Sequence, residues 1–339
     1  MKRTSTEKGS IEEITTKKIG TWIAGGLLIA AALAMPGAAR AEYPDHLIKV
    51  VTGFPAGGGA DILYRWYTEK LKDLAGVPVV VENRPGAGAN IATNTVAKAA
   101  PDGYTLLTGP SSSLAGNIYL YKNLPFDPVK DLVPITTYAQ LGFVLTINDK
   151  KNPAKNVQEF IQLMKAKGEK MTFGIPTTTS QACAALFMAA AGLKGTQVAY
   201  KTMQAAVSDV ATEQIDFVMS DAPFSLTQQK QGKVKILGVA TAKRSTAFPD
   251  IPTLAEQGLQ NTELPPWWAF YAPAGTPSEI VNKLSGWINQ ISAMPETRDY
   301  LVRQGAEPLP GTPESTKQKL ADEIELWKKI MTLAKFEQQ

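Results

Sequence analysis

The sequence predicts an α/β protein built as two lobes, and three observations carry that prediction. Short apolar runs alternate with helical periodicities along most of the chain, the pattern of parallel sheets flanked by helices. The connections between them are short, as crossover units require. The 298 residues that follow residue 41 are enough for two separate cores.

The first segment reads as a targeting signal rather than as part of the fold. Lys17 and Lys18 precede an apolar run over residues 19–35, followed by Pro36, Gly37 and Ala39-Arg40-Ala41. A basic flank, an apolar stretch of this length and an A-x-A end make residues 1–41 a secretory signal peptide cleaved after Ala41. A membrane anchor is the competing reading, but Gly25 and Gly26 interrupt a run already marginal for the ~20 apolar residues of a spanning helix. No Cys lies near the cleavage point, so no lipid anchor is expected. Residues 1–41 hold six Lys/Arg and three acids, so the chain after cleavage falls from a net charge of +4 to +1. That near-neutral balance removes the basic excess a nucleic-acid or anionic-membrane binder needs.

Cys183 and His46 are each the only residue of their kind. No disulfide can form within one chain, and neither a Cys/His metal site nor a Ser-His-Asp triad is readily assembled. Cys183, inside an Ala-rich run, reads as a small buried hydrophobe, and His46 as a surface residue. No catalytic residue, metal or cofactor is expected.

The elements follow in order. Residues 48–52 read as a strand, 53–59 as a Gly-rich loop, and Leu63, Trp66, Tyr67, Leu71 and Leu74 as a helix that Gly76 ends. Residues 79–81 form a second strand and 83–88 a turn; Asn90 is expected to cap a helix through Ala99, and 104–108 form a third strand. A second α/β run starts with a strand at 143–147 and a helix carrying Val157, Phe160, Ile161 and Met164 on one face. Strands are expected at 171–175, 197–200, 216–219 and 235–240. Thr276-Pro277-Ser278-Glu279 reads as a capping box with Thr276 at the N-cap, and Thr312-Pro313-Glu314 opens the last helix in the same way. That helix buries Leu320, Ile324, Trp327 and Met331.

In parallel α/β sheets ligands sit beyond the carboxyl ends of the strands, so the strand-end loops are the candidate site. The segment Phe54-Pro55-Ala56-Gly57-Gly58-Gly59-Ala60-Asp61 lets backbone N–H groups at a helix start approach an anion. It is neither a P-loop nor G-x-G-x-x-G, and a plain tight turn is the alternative. Asp61, in the first helical turn, is expected to pair with Arg65. The loop Gly109-Pro110-Ser111-Ser112-Ser113 and the loop Pro176-Thr177-Thr178-Thr179-Ser180-Gln181 offer hydroxyls and N–H groups. Each reads either as helix capping or as carboxylate binding. Asp221, at the end of the 216–219 strand, either contacts a ligand or caps the next turn. Trp267, Trp268, Phe270 and Tyr271 are expected in core or hinge packing, while Phe54 and Phe224 suit an aromatic ring.

The blocks YPDHLIKVV, GFPAGGGADI, VENRPGAGANIA, AAPDGYTLL, LPFDPVKDL, VAYKT, PDIPTLAEQG and APAGTP, in this order from Tyr43 to about Trp327, resemble the tripartite tricarboxylate transporter receptors, or Bug-type extracytoplasmic solute receptors. The resemblance implies a type II periplasmic-binding-protein fold, with two α/β lobes, a ligand cleft and crossing hinge strands. Lobe 1 would take residues 42–142 and 265–339, lobe 2 residues 143–264. It implies a periplasmic receptor that holds a small carboxylate through the loops matching Phe54–Asp61 and Thr177–Ser180, with the acid matching Asp221 near the hinge side of the cleft. Together with the strand-end reading, the expected ligand-binding residues are Phe54, Pro55, Gly57, Gly58, Ala60, Asp61, Ser111, Ser112, Thr177, Thr178, Thr179, Ser180 and Asp221. The ligand class spans aliphatic di- and tricarboxylates, acidic amino acids and aromatic carboxylates such as a phthalate-type diacid. The partners would be integral membrane transporter subunits, with the receptor acting as a monomer. In the second-lobe loop Gln181 stands where the family often has His. A sensor feeding a signalling partner would use the same cleft. An enzyme on the same architecture would need an acid/base pair, for which Asp61 and Asp221 are the available acids.

Overall fold

The computed structural model describes residues 42–334 except 265, together with residue 338. The expected signal peptide, residues 1–41, lies outside the described residues. Residues from His46 onward group as one unit, within which two sheets are laid down.

The first sheet runs, in spatial order, through Ala306–Pro308, Leu132–Leu141, Trp267–Pro273, Thr105–Pro110, Ile48–Thr52 and Val79–Asn83. It begins with β1 (Ile48–Thr52), α1 (Gly59–Ala75), β2 (Val79–Asn83), α2 (Asn90–Ala97) and β3 (Thr105–Pro110). β2 and β3 both pair with β1 in parallel, so the loops after all three strands fall on one edge. Helix α1 covers this sheet because Leu63, Tyr64, Tyr67 and Leu71 form a stripe of fully buried side chains. It stops where Gly76 turns left-handed, its N–H closing on the Lys72 carbonyl at 3.0 Å. Two short helices follow β3, α3 (Ser111–Ala115) and α4 (Asn117–Leu120).

The chain then crosses. β4 (Leu132–Leu141) belongs to the first sheet and β5 (Phe143–Asn148) to the second, with Gly142 alone between them. The second sheet, order β7-β6-β8-β5-β9, is completed by α5 (Val157–Lys167), β6 (Thr172–Ile175), α6 (Thr178–Ala191), β7 (Thr196–Ala199), α7 (Met203–Ala211), β8 (Phe217–Asp221), α8 (Ala222–Lys230) and β9 (Val234–Val239). Its core gathers around Phe217, whose ring lies 5.4 Å from those of Phe173 and Phe187 and 5.8 Å from that of Phe160. This aromatic cluster ties α5 and α6 onto the sheet. The chain returns through β10 (Trp267–Pro273) to α9 (Ser278–Ala293), α10 (Pro295–Arg303), β11 (Ala306–Pro308) and α11 (Pro313–Ala334).

Three local expectations change. Asn90 does not cap: the N-cap is Ala89, in the left-handed region, and the Asn90 Oδ1 accepts from Asn117 Nδ2 at 2.7 Å, so the helix runs Asn90–Ala97. Thr276 does not cap either; its hydroxyl donates to the Pro273 carbonyl at 2.8 Å, and the helix starts one residue later with Pro277 at its N-cap. Thr312 does cap, accepting from the Ser315 N–H at 3.1 Å. Finally, β4, β10 and β11 carried no strand expectation. β4 holds Pro134 and an unalternating polar stretch, yet Thr136 and Thr137 are buried. Because β11 covers only residues 139–141, the Pro134 end of β4 keeps an open edge, where a missing N–H is tolerated.

Among the described residues no helix is long and apolar enough to cross a membrane.

Candidate functional site

A cavity of about 590 Å³ opens between the two sheets, at the carboxyl ends of β1, β3, β6, β7 and β8. Among the sequence-expected residues, Phe54, Pro55, Gly58, Ala60, Asp61, Ser112, Thr177, Thr178, Thr179 and Asp221 line it.

Asp61 builds the first loop rather than presenting free oxygens. Its Oδ2 accepts from Arg65 Nε at 2.7 Å and from the Gly57 N–H at 3.0 Å, and its Oδ1 from Asn83 Nδ2 at 3.2 Å. Asn83 Nδ2 also donates to the Phe54 carbonyl at 2.8 Å. Burial raises the carboxyl's pKa, but Arg65 and the bonds from Gly57, Tyr64 and Asn83 outweigh it and leave the group below its usual value. The expected i,i+4 pair is therefore present, and it braces the loop from behind. Gly57 contributes through its backbone, at φ +79°, and does not line the cavity. Gly58 is the N-cap of α1, with no side chain to occupy the first N–H groups.

The loop is pressed against the segment after β2. A Cβ on Gly53 would lie 2.2 Å from that of Ala89, so only glycine allows the 86–89 segment to form the adjoining wall. Gly53→Ala is expected to destabilise the protein by about 1–3 kcal/mol, the cost of overpacking, readable as a lower denaturation midpoint with unchanged m-value.

The second and third loops meet across the cavity. Ser112 and Thr179, from opposite sheets, share a hydroxyl–hydroxyl bond of 2.6 Å, and Thr178 donates to Asn117 Oδ1 at 3.2 Å. Thr177 caps α6, accepting from the Ser180 N–H at 3.1 Å, so the capping and lining readings hold together for this residue. Two expected residues face away. Ser111 donates to Glu323 Oε1 at 3.1 Å, and Ser180 donates to the Met219 carbonyl. Both are fully buried, because the first residue of α3 and the third of α6 turn toward the core. Gln181 is also absent from the lining.

Sequence reasoning missed the end of β7, where Tyr200, Lys201, Thr202, Met203 and Gln204 line the cavity. The available signal was the same as elsewhere, a strand end followed by a Thr N-cap; Thr202 accepts from the Ala205 N–H at 3.2 Å. Gln204 Nε2 reaches the Gly57 carbonyl at 3.4 Å and links the two sides at the mouth. Trp268 is buried in packing as expected, its ring 5.2 Å from that of Phe54, and it lines the cavity as well. Alternation along β10 separates it from Trp267. Phe224 packs against the core instead of the cavity.

Asp221 caps α8, its Oδ1 accepting from the Phe224 N–H at 3.1 Å. Burial pushes its pKa up to about 6, against 3.8 for a free side chain. A raised acid favours the folded state below pH 3.8, and this contribution is lost as pH rises through about 6. Ionised Asp221 then costs roughly 3 kcal/mol. Asn preserves the cap without the charge. Asp221→Asn is thus expected to melt above the parent at pH 8 and to match it near pH 3.5; equal melting temperatures at pH 8 would contradict the burial argument.

Among the described residues no group of three or more His, Cys, Asp and Glu is placed to hold a metal ion. The lining is rich in apolar and aromatic surface (Phe54, Phe143, Tyr200, Met203 and Trp268). It carries the N-terminus of α1, whose N-cap Gly58 has no side chain, and that of α6, capped by Thr177 at the Ser180 N–H. Such a cavity desolvates an organic body and receives an anionic group on aligned N–H and O–H donors.

A family model described as tripartite tricarboxylate transporter family receptor matches residues 63–335. The chain is 34% identical to the protein BugT of Bordetella pertussis over 306 residues, 89% of this chain and 93% of that protein. Its fold is similar to the periplasmic binding protein BugD, with a TM-score of 0.81 and 30% identity over 88% of this chain and 100% of that one. A protein of R. palustris solved with adipate aligns with a TM-score of 0.85 and 29% identity, over 88% of this chain and 100% of that one.

Proposed function

This chain belongs to the tripartite tricarboxylate transporter family receptors, and from that premise we propose that it is a periplasmic receptor that captures a small carboxylate and delivers it to integral membrane transporter subunits. The observation that carries this reading is the convergence of α1 and α6, one from each sheet, on a single apolar-walled cavity. N–H groups of their first turns and the hydroxyls of Ser112 and Thr177–Thr179 replace the water shell of the carboxylate, with no Arg in the lining.

We assign residues 42–142 and 265–339 to one lobe and 143–264 to the other, a division supported by the membership of the two sheets. The lobes hinge at Gly142 and at the return into β10. We read the receptor as acting as a monomer. The adipate-bound relative supports an aliphatic diacid as one ligand class; the aromatic wall supports an aromatic carboxylate as another. Periplasmic delivery rests on the expected signal peptide and on the periplasmic relative.

The test is a thermal-shift screen of protein unfolded and refolded to strip bound solute, run against a carboxylate panel and followed by calorimetry. A ligand at a hundred times its Kd adds about 2.7 kcal/mol, expected here as a rise of roughly 5–10 °C. A folded protein that shifts with no carboxylate, or that turns one over, would overturn the proposal.

A further inference from the structure

The carboxyl ends of the second sheet present three chemistries in a fixed lateral order. Lys201 lies two residues past the end of the outer strand β7; Thr177 and the N-terminus of α6 follow its neighbour β6; β8 ends in Asp221, beside the crossing strand β5. All three line the cavity. Neighbouring strands lie ~4.8 Å apart, so the ends of β7 and β8, with β6 between them, are separated by roughly 10 Å. The cleft is therefore polarised along this edge, with a cation at the outer strand, the N–H groups of α6 at the middle strand and a carboxyl at the inner one.

Asp221 is not spent in the way Asp61 is. Asp61 is neutralised by Arg65 and carries side-chain donors on both oxygens. Asp221 is nine-tenths buried and receives backbone N–H groups only; among the described residues no side chain donates to it. With only backbone N–H groups on it, the carboxyl keeps acceptor capacity at the cavity wall that a donor on the ligand can use. A second carboxylate placed there would meet like charge in an apolar wall.

We propose that the ligand carries, at the end opposite its bound carboxylate, a hydrogen-bond donor (an ammonium or a hydroxyl group) received by Asp221. This inference rests on the receptor reading above and narrows its ligand class from diacids toward amino or hydroxy acids with an apolar or aromatic body.

Calorimetry on the full protein, its Asp221→Asn variant and its Gly58→Leu variant tests it with two matched probe sets. One set is terephthalate, 4-(aminomethyl)benzoate and 4-(hydroxymethyl)benzoate; the other is adipate, 6-aminohexanoate and 6-hydroxyhexanoate. A charge-assisted bond corresponds to about a ten- to hundredfold gain, so a donor-bearing probe is expected to bind at least that much tighter than its diacid. In Asp221→Asn, which keeps the helix cap, an ammonium preference should collapse and the diacid should gain. A hydroxyl preference surviving in Asn and lost in Asp221→Ala would identify a hydroxy acid as the ligand. Diacids that bind the parent as tightly as the donor-bearing probes, and lose affinity in Gly58→Leu, would overturn this inference while leaving the receptor reading intact. No binding of any probe to folded protein would overturn both.

Discussion

Gly58→Leu is expected to weaken carboxylate binding at least a hundredfold while the ligand-free protein melts within a few degrees of the parent. The backbone at Gly58 is ordinary extended chain, φ −76° and ψ 165°, so a larger residue meets no torsional penalty. A Cβ there would touch only the Pro55 carbonyl at 3.6 Å and Gln204 Nε2 at 3.7 Å, both normal contacts. The fold therefore accommodates a side chain, but the atoms beyond Cβ enter the space a carboxylate would occupy at the N-terminus of α1. Replacing a Gly N-cap with Leu costs about 1 kcal/mol or less, far below the loss of the bound anion's N–H donors. Calorimetry beside a thermal melt separates the two effects. Retained affinity in a folded variant would remove the 54–61 loop from the site.

Trp327→Ala is expected to destabilise the protein by about 3–5 kcal/mol, readable as a fall of roughly 10 °C in melting temperature. The indole is fully buried. It fits against Gly116 so closely that a Cβ on that glycine would lie 2.9 Å from the ring. Its Nε1 also donates to Glu323 Oε1 at 3.3 Å. Glu323 is itself buried, its pKa raised by burial, and it accepts from Ser111 at the start of α3. Removing the indole thus opens a cavity and takes a donor from a buried carboxyl that supports the Ser111–Ser113 loop. Trp327→Phe, which keeps most of the packing, should cost clearly less. Equal losses for the two variants would place the whole effect in the hydrogen bond, against the packing argument.

Much of the scaffold was legible because its signals are local. The apolar period of Leu63, Tyr67 and Leu71, the stop at Gly76, and the Thr312 cap depend on residues within one or two helical turns. The Asp61–Arg65 pair was legible for the same reason, since residues four apart on a helix face are neighbours whatever the rest of the chain does. The Thr276 cap failed at the same scale: the Pro273 carbonyl competed for the hydroxyl, and nothing in the T-P-S-E spacing reveals that competitor.

The site was legible as a set of strand ends, because parallel topology puts them on one edge. Which side chains at each end face the cleft was not. Ser111 and Ser112 are adjacent and chemically identical, yet one serves Glu323 and the other reaches Thr179. Trp267 and Trp268 divide in the same manner along β10.

The sequence by itself determined the alternation of strands and helices, the family resemblance, the polar strand-end loops and the absence of a second Cys or His. These follow from residue type and short-range spacing. Only the tertiary structure decided that Ser112 meets Thr179, that Gln204 reaches Gly57, that the end of β7 joins the cavity and that among the described residues no side chain donates to Asp221. Each of these depends on where two segments distant in the chain come to rest, which is set by packing the two sheets around the Gly142 crossing rather than by any local pattern.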